Sequence, residues 1–123
     1  DGRTLLDTRR ALLAGEPPRR TVAAANTSIG VIATDAVLTK AQAGRLATAA
    51  HDGFARSINP AHTMLDGDTL FALGTGASGK PAEMVLLSTL AAEAVALATV
   101  RAVRAARGVR IGELHIPAAA ELP

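Results

Sequence analysis

Thr27 is the first residue of the sequence whose position could support catalysis. It lies between Asn26 and Ser28, directly before the apolar, β-branched run Ile29–Thr34. A threonine hydroxyl is a weak nucleophile and needs a base; if the Asn26–Thr27 bond is cut, the freed α-amine, with a pKa of about 8, can be that base. The alternative is that Thr27 is a β-branched residue that simply opens a strand.

Two carboxylates, Asp66 and Asp68, flank Gly67 just before a second apolar run. Such a pair could hold an ammonium group, orient a hydroxyl or share a proton. The alternative is a solvated turn, which this residue pattern also favours. A magnesium or calcium site is a third possibility, but two carboxylates without further acidic ligands fall short of a calcium-binding loop. We therefore expect no metal.

The three histidines differ in how close they lie to these residues. His62 stands in the loop that leads to Asp66, and it could be a base, a ligand or a structural hydrogen-bonding group. For a lone loop histidine the structural role is the expected one. His51 and His115 have no convergent partner in the sequence, so none of the three enters the predicted site.

A strand and a helix follow Thr27. The run Ile29–Thr34 predicts a strand covered on both faces, and Gly30 within it indicates the close approach of another backbone or layer. Thr39 and Gln42 have the spacing of a capping box, and an apolar stripe follows them. The pattern therefore predicts a helix over Lys40–Ser57.

A second strand and a second helix follow the two carboxylates. The run Thr69–Leu73 predicts another buried strand, and Pro81 is suited to the first turn of a long helix that ends near Gly108. A short helix over Thr4–Ala14 and a linker are predicted before this unit. An irregular tail is predicted after it.

The composition excludes several kinds of function. The chain has 123 residues, of which 49% are hydrophobic and 20% charged, as is typical of one globular domain. Its net charge of +2 is too small to predict a nucleic-acid partner, and no Tyr or Trp is present to stack on bases. The absence of Cys excludes disulfides, thiolate metal sites and cysteine nucleophiles.

Core filling and location are also indicated by composition. The aromatic residues are Phe54 and Phe71, so small aliphatic side chains must fill the core, which suggests that a partner surface is missing. The most apolar stretch, Met84–Val100, is interrupted by Glu93 and is too short in uncharged residues for a membrane span. No signal-peptide pattern is seen. We expect a cytoplasmic protein without a membrane partner, and a chain that is part of a longer one.

Taken together, the motifs resemble those of the DmpA-like peptidases, peptidase family S58. The resemblance extends from Thr21 to Gly108, and it rests on segments that surround the candidate residues: Asn26–Thr34, Leu38–Gln42, His51–Gly53, Pro60–Thr63 and Asp66–Ala72. The family includes L-aminopeptidase/D-esterases, β-aminopeptidases and endo-type nylon-oligomer hydrolases. The resemblance therefore implies an amide hydrolase.

The resemblance also implies how the chain is divided. Members of the family are made as precursors that cut themselves into an α and a β chain, and here the cut would fall between Asn26 and Thr27. Residues 1–26 would be the tail of the α chain and a linker, and residues 27–123 the β chain. The implied fold is α+β, an αββα sandwich shared with ornithine acetyltransferases, of which this chain is the C-terminal portion.

The site implied by the resemblance consists of Thr27 as the N-terminal nucleophile, supported by Asp66 and Asp68. The Asp-Gly-Asp motif matches the nylon-hydrolase branch, whereas β-aminopeptidases carry a serine nucleophile and a Ser and Glu pair. The α chain would supply the oxyanion donors and most of the pocket. The implied substrate is a small peptide or amide, with no cofactor, and the implied assembly is a homo-oligomer of αβ units such as a tetramer.

Two alternatives remain open at this point. One is an acyltransferase of the same fold, although the strand after Thr27 does not resemble the motif of those enzymes. The other is a non-catalytic binding or assembly subunit in which Thr27 stays internal to the chain.

Overall fold

A computed structural model describes residues 6–16 and 27–122 of the chain. Helices and strands are mixed, as the α+β prediction requires, and they follow in the order α1 (Thr8–Leu13), β1 (Ile29–Thr34), α2 (Lys40–Ser57), β2 (Thr69–Gly74), α3 (Met84–Ala105), β3 (Val109–Ile111), β4 (Leu114–Ile116) and a 3-10 helix (Ala119–Glu121). The predicted linker lies mostly outside the described residues.

The strands β1 and β2 are parallel and form a two-stranded sheet joined by α2. Their inner face packs on α2, and a Cβ at Gly30 would lie 2.7 Å from Cδ2 of Leu70, so the predicted close approach is to the neighbouring strand's side chain. The prediction that both faces are covered is wrong for the described residues. On the outer face Ile29 is 73% exposed and Val31 63%, and Phe71 and Leu73 beside them are also exposed.

The helix α2 has the bounds that its sequence predicts. Gln42 N donates to Thr39 Oγ1 at 3.2 Å, and Thr39 N donates to Gln42 Oε1 at 2.9 Å, which together form the predicted capping box. Its apolar stripe forms the core with one strand residue and two residues of α3, and the buried members of this core are Leu46, Ala50, Phe54, Leu70, Ala91 and Val95.

The helix α3 begins later and ends earlier than predicted. It starts at Met84 because the carboxylate of Glu83 caps it, accepting from Leu86 N at 2.9 Å. Pro81 instead lies before the helix, in a β-bridge with Val37. The helix crosses α2 closely at Gly53, where a Cβ would collide with the Ala92 carbonyl oxygen.

Within the described residues, α3 alone is long and apolar enough to cross a membrane by length and composition. A core helix of a soluble protein satisfies the same criterion. Ala91, Ala92 and Val95 are buried on the inner side of α3, and Glu93 forms an ion pair with Arg56 of α2 at 3.3 Å.

The tail is ordered rather than irregular, which corrects the sequence-based prediction. β3 and β4 form an antiparallel hairpin, and Gly112 in its turn has a φ of 60°. Gly108 N donates to Glu121 Oε1 at 2.9 Å, which fastens the 3-10 helix to the start of the hairpin. No sequence pattern indicates this hairpin, because strands of three residues are too short for a recognisable alternation.

Candidate functional site

The parallel pairing of β1 and β2 brings Asp68 next to the start of β1. Ser28 N donates to Asp68 Oδ1 at 3.0 Å, and Thr69 N donates to Ser28 O at 2.8 Å. Thr27 is exposed and directly precedes this doubly bonded residue. The structure therefore places the Asp68 carboxylate one residue from the predicted nucleophile, whereas Asn26 lies outside the described residues.

Asp66 has different partners from Asp68. Its Oδ2 accepts from both N and Oγ1 of Thr63, each at 2.8 Å, and Asp66 N donates to the Thr63 carbonyl oxygen at 3.1 Å. This carboxylate therefore fastens the turn over residues 63–66. The contacts of the described residues bring Asp68 to the start of β1 but do not join Asp66 to Thr27, and a catalytic role for either carboxylate stays a prediction.

His62, which is not among the predicted site residues, lies against Asp68. Its Nδ1 is 3.7 Å from Asp68 Oδ2, and its Nε2 is 3.3 Å from the His51 carbonyl oxygen in α2. The two histidine rings lie 5.1 Å apart between centroids. The position of His62 just before the Asp-Gly-Asp motif was the signal available in the sequence, but that position does not fix where the ring points.

The side chain of Asp68 is largely buried, with 8% of its surface exposed. A charged group withdrawn from water needs polar partners. The described residues supply two, the Ser28 N–H on one oxygen and the His62 imidazole near the other. The carboxylate is thereby fixed with one oxygen toward β1 and the other toward the loop before β2.

A groove of about 670 Å³ is lined by residues of β1, by Leu70 of β2, by the end of α2 and by the C-terminal half of α3. Most of the residues that line it have apolar side chains, and those with a hydroxyl are Ser28, Ser57 and Thr99. In the described part of the chain, β2 is the one strand that pairs with β1.

The sequence model of peptidase family S58 matches residues 2–115. The chain belongs to peptidase family S58. It is 50% identical over 101 residues to an uncharacterized aminopeptidase of Mycobacterium tuberculosis and equally to one of Mycobacterium bovis, a match that covers 80% of this chain and 29% of each relative. An uncharacterized aminopeptidase of Mycobacterium leprae is 64% identical over 56 residues, 46% of this chain and 16% of the relative.

The S58 match includes Thr27, His62, Asp66 and Asp68. This S58 chain spans less than a third of the length of the mycobacterial relatives that match it over 101 residues. Among residues 6–16 and 27–122, no three His, Asp or Glu side chains are grouped so that they could hold a metal ion.

Proposed function

We propose that this S58 chain carries the nucleophile of a self-processing amide hydrolase that acts on small peptides, amino-acid amides or oligoamides. The observation that supports it most directly is the bond from Ser28 N to Asp68 Oδ1 at 3.0 Å, which holds a carboxylate one residue from an exposed threonine. Because the relatives are named aminopeptidases, we propose peptides with a free N-terminus as the substrates.

In the proposed self-cleavage, Thr27 Oγ1 attacks the Asn26 carbonyl carbon, and the peptide C–N bond breaks as the amide nitrogen takes up a proton. Water then hydrolyses the resulting ester, which leaves a carboxylate on Asn26 and a free amine and hydroxyl on Thr27. Residues 1–26 would then end the α chain, and residues 27–123 would form the β chain.

In the proposed catalytic cycle, the Thr27 amine accepts the hydroxyl proton as Oγ1 bonds to the substrate carbonyl carbon. The ammonium then gives that proton to the leaving amine as the C–N bond breaks. Water attacks the acyl ester with the amine as base, and the proton returns to Oγ1 as the acid leaves. The tetrahedral oxyanion needs hydrogen-bond donors, which we assign to the α chain.

Asp68 and Asp66 have separate tasks in this proposal. The Asp68 carboxylate lies beside the residue that follows Thr27, so its charge favours the ammonium form that arises when the amine accepts the proton. It could also orient the Thr27 hydroxyl or hold a substrate ammonium. The bonds from Thr63 to Asp66 support a role in shaping the loop that delivers Asp68.

The proposed partner of this chain is the α chain of the same precursor, completing an αββα sandwich. The exposed apolar face of β1 and β2 suits a second sheet, because Ile29, Val31, Phe71 and Leu73 form one continuous surface. The groove beside β1 suits an added strand, since α3 lies over it with small side chains. A large share of each relative lies beyond the match and could supply both. We further propose a cytoplasmic homo-oligomer of αβ units, such as a tetramer.

The test begins with the full-length precursor, analysed by N-terminal sequencing, intact mass and hydrolysis of a small amino-acid p-nitroanilide. We expect a fragment that starts Thr-Ser-Ile-Gly, whereas Thr27→Ala stays uncut and loses hydrolysis by at least about a thousandfold. Thr27→Ser is the matched control that keeps a hydroxyl and is expected to cut itself. A Thr27→Ala protein that matures and hydrolyses the amide would contradict the proposal.

Two further outcomes of the same experiment distinguish the alternatives. A competing amine that appears in the product instead of water would indicate acyl transfer on the same nucleophile. A wild-type precursor that stays uncut and inactive would indicate a binding or assembly subunit.

A further inference from the structure

We propose that His62 is a positioning residue for the nucleophile, acting through Asp68. The inference rests on the proposed function, because it concerns how the start of β1 is held for the reaction. Three separate observations lead to it: the backbone conformation of His62, the contacts of its two ring nitrogens, and the division of the Asp68 oxygens between two partners.

The backbone of His62 is in the left-handed region, with a φ of 57°. Among the described residues it is the one non-glycine residue with positive φ. This conformation is unfavourable for a residue with a Cβ, and such residues persist where the surroundings hold them, often at active sites. The contacts of the ring indicate what holds His62.

Each ring nitrogen of His62 faces an acceptor. Nε2 lies 3.3 Å from the His51 carbonyl oxygen, and Nδ1 lies 3.7 Å from Asp68 Oδ2. A neutral imidazole carries one N–H, so the tautomer decides toward which of the two acceptors it donates. The His51 ring, 5.1 Å away from that of His62, also faces it from α2. His62 thus bridges α2 and the largely enclosed carboxylate.

The two oxygens of Asp68 have different partners. Oδ2 faces His62, and Oδ1 accepts from Ser28 N at 3.0 Å. Because the carboxylate is planar, fixing one oxygen fixes the other, so His62 restrains the rotation that would break the bond to Ser28. Loss of this restraint would loosen Asp68 and misplace the Thr27 hydroxyl and amine. Misplaced reacting groups lower kcat more than they raise KM.

His115 provides a matched control elsewhere in the molecule. Its Nε2 also lies near a carboxylate, 3.4 Å from Glu121 Oε2, and its side chain is 38% exposed against 40% for His62. His115 belongs to β4 in the tail. The carboxylate of Glu121 is 43% exposed against 8% for Asp68, so the control matches the exposure of the histidine and not that of its partner.

The experiment uses the full-length precursor carrying His62→Asn, with His115→Asn as the control, because Asn tolerates positive φ better than most residues. Self-cleavage rate, kcat, KM and thermal midpoint are measured with an amino-acid p-nitroanilide. For His62→Asn we expect kcat to fall by about tenfold to a hundredfold with KM within about twofold. His115→Asn is expected to keep the wild-type values.

A double-mutant cycle and a chemical rescue separate positioning from folding. In an Asp68→Asn background, His62→Asn is expected to cause little further loss, because its effect passes through the carboxylate. His62→Gly, which removes the backbone strain, is expected to regain part of its kcat when imidazole is added. Imidazole is expected to change neither the wild type nor Asp68→Asn.

The inference is overturned if His62→Asn keeps wild-type kcat and self-cleavage, if its effect multiplies fully with that of Asp68→Asn, or if imidazole leaves His62→Gly unchanged. Each of these results would be obtained while the wild-type protein still cuts itself and hydrolyses the amide. Failure of the proposed function is different, because then the wild type itself is uncut and inactive.

Discussion

Replacing Asp68 separates the structural from the electrostatic contribution of this carboxylate. Asp68→Ala removes the acceptor for Ser28 N and the carboxylate that lies 3.7 Å from His62 Nδ1. A hydrogen bond to a charged group contributes about 1.5–3 kcal/mol, and the contact of the carboxylate with the partly exposed His62 adds about 0–1 kcal/mol. We therefore expect Asp68→Ala to lower the free energy of unfolding by about 1.5–4 kcal/mol. Asp68→Asn keeps an oxygen for Ser28 N and should cost only about 1 kcal/mol.

Activity is expected to follow a different order from stability in these two variants. Both lack the negative charge beside Thr27, so both should lose about a hundredfold in kcat. Urea unfolding of the full-length protein gives the stabilities, and hydrolysis of an amino-acid p-nitroanilide gives the rates. The reasoning is refuted if Asp68→Asn hydrolyses the amide at the wild-type rate, or if Asp68→Ala is no less stable than Asp68→Asn.

Two further substitutions test the helix crossing and the loop before β2. Gly53→Ala should lower the free energy of unfolding in urea by about 1–3 kcal/mol, because its Cβ meets the Ala92 carbonyl oxygen. Gly44→Ala in the same helix meets nothing within 4 Å and should raise that free energy by about 0.5–1 kcal/mol. Equal effects of the two substitutions would contradict the close crossing at Gly53. Asp66→Ala loses both bonds from Thr63 and should cost about 1–3 kcal/mol in urea unfolding, with a smaller loss of kcat than Asp68→Ala; a larger loss would give Asp66 a direct part in the reaction.

The sequence predicted those elements whose ends are marked by local chemistry. The bounds of α2 follow from the capping box of Thr39 and Gln42 and from a well-defined apolar stripe. The predicted start of α3 differs from the observed one because Pro81 is compatible with a first helical turn, whereas the capping bond comes from Glu83. The exposure of the outer sheet face could not be read from the apolar runs, because apolar residues indicate that a face is suited to burial and not what covers it.

The position of a candidate site residue can be predicted when it is adjacent to an element in the sequence or lies opposite another residue on a paired strand. Asp68 could be anticipated from its place before β2. The contribution of His62 could not, because its ring direction depends on a left-handed backbone and on the position of the His51 carbonyl in a different element. A pattern of residue types predicts neither the backbone conformation of His62 nor the position of that carbonyl group.

The hydrogen bonds of Ser28 have a consequence for the order of events. Both its N–H and its carbonyl oxygen are engaged, with Asp68 and with Thr69, and both bonds lie after the bond proposed to break. Cutting before Thr27 would therefore leave both of these bonds in place. Because Ser28 stays anchored, little fraying of the new terminus is expected. One arrangement of β1 could then serve first for maturation and afterwards for turnover, without refolding between them.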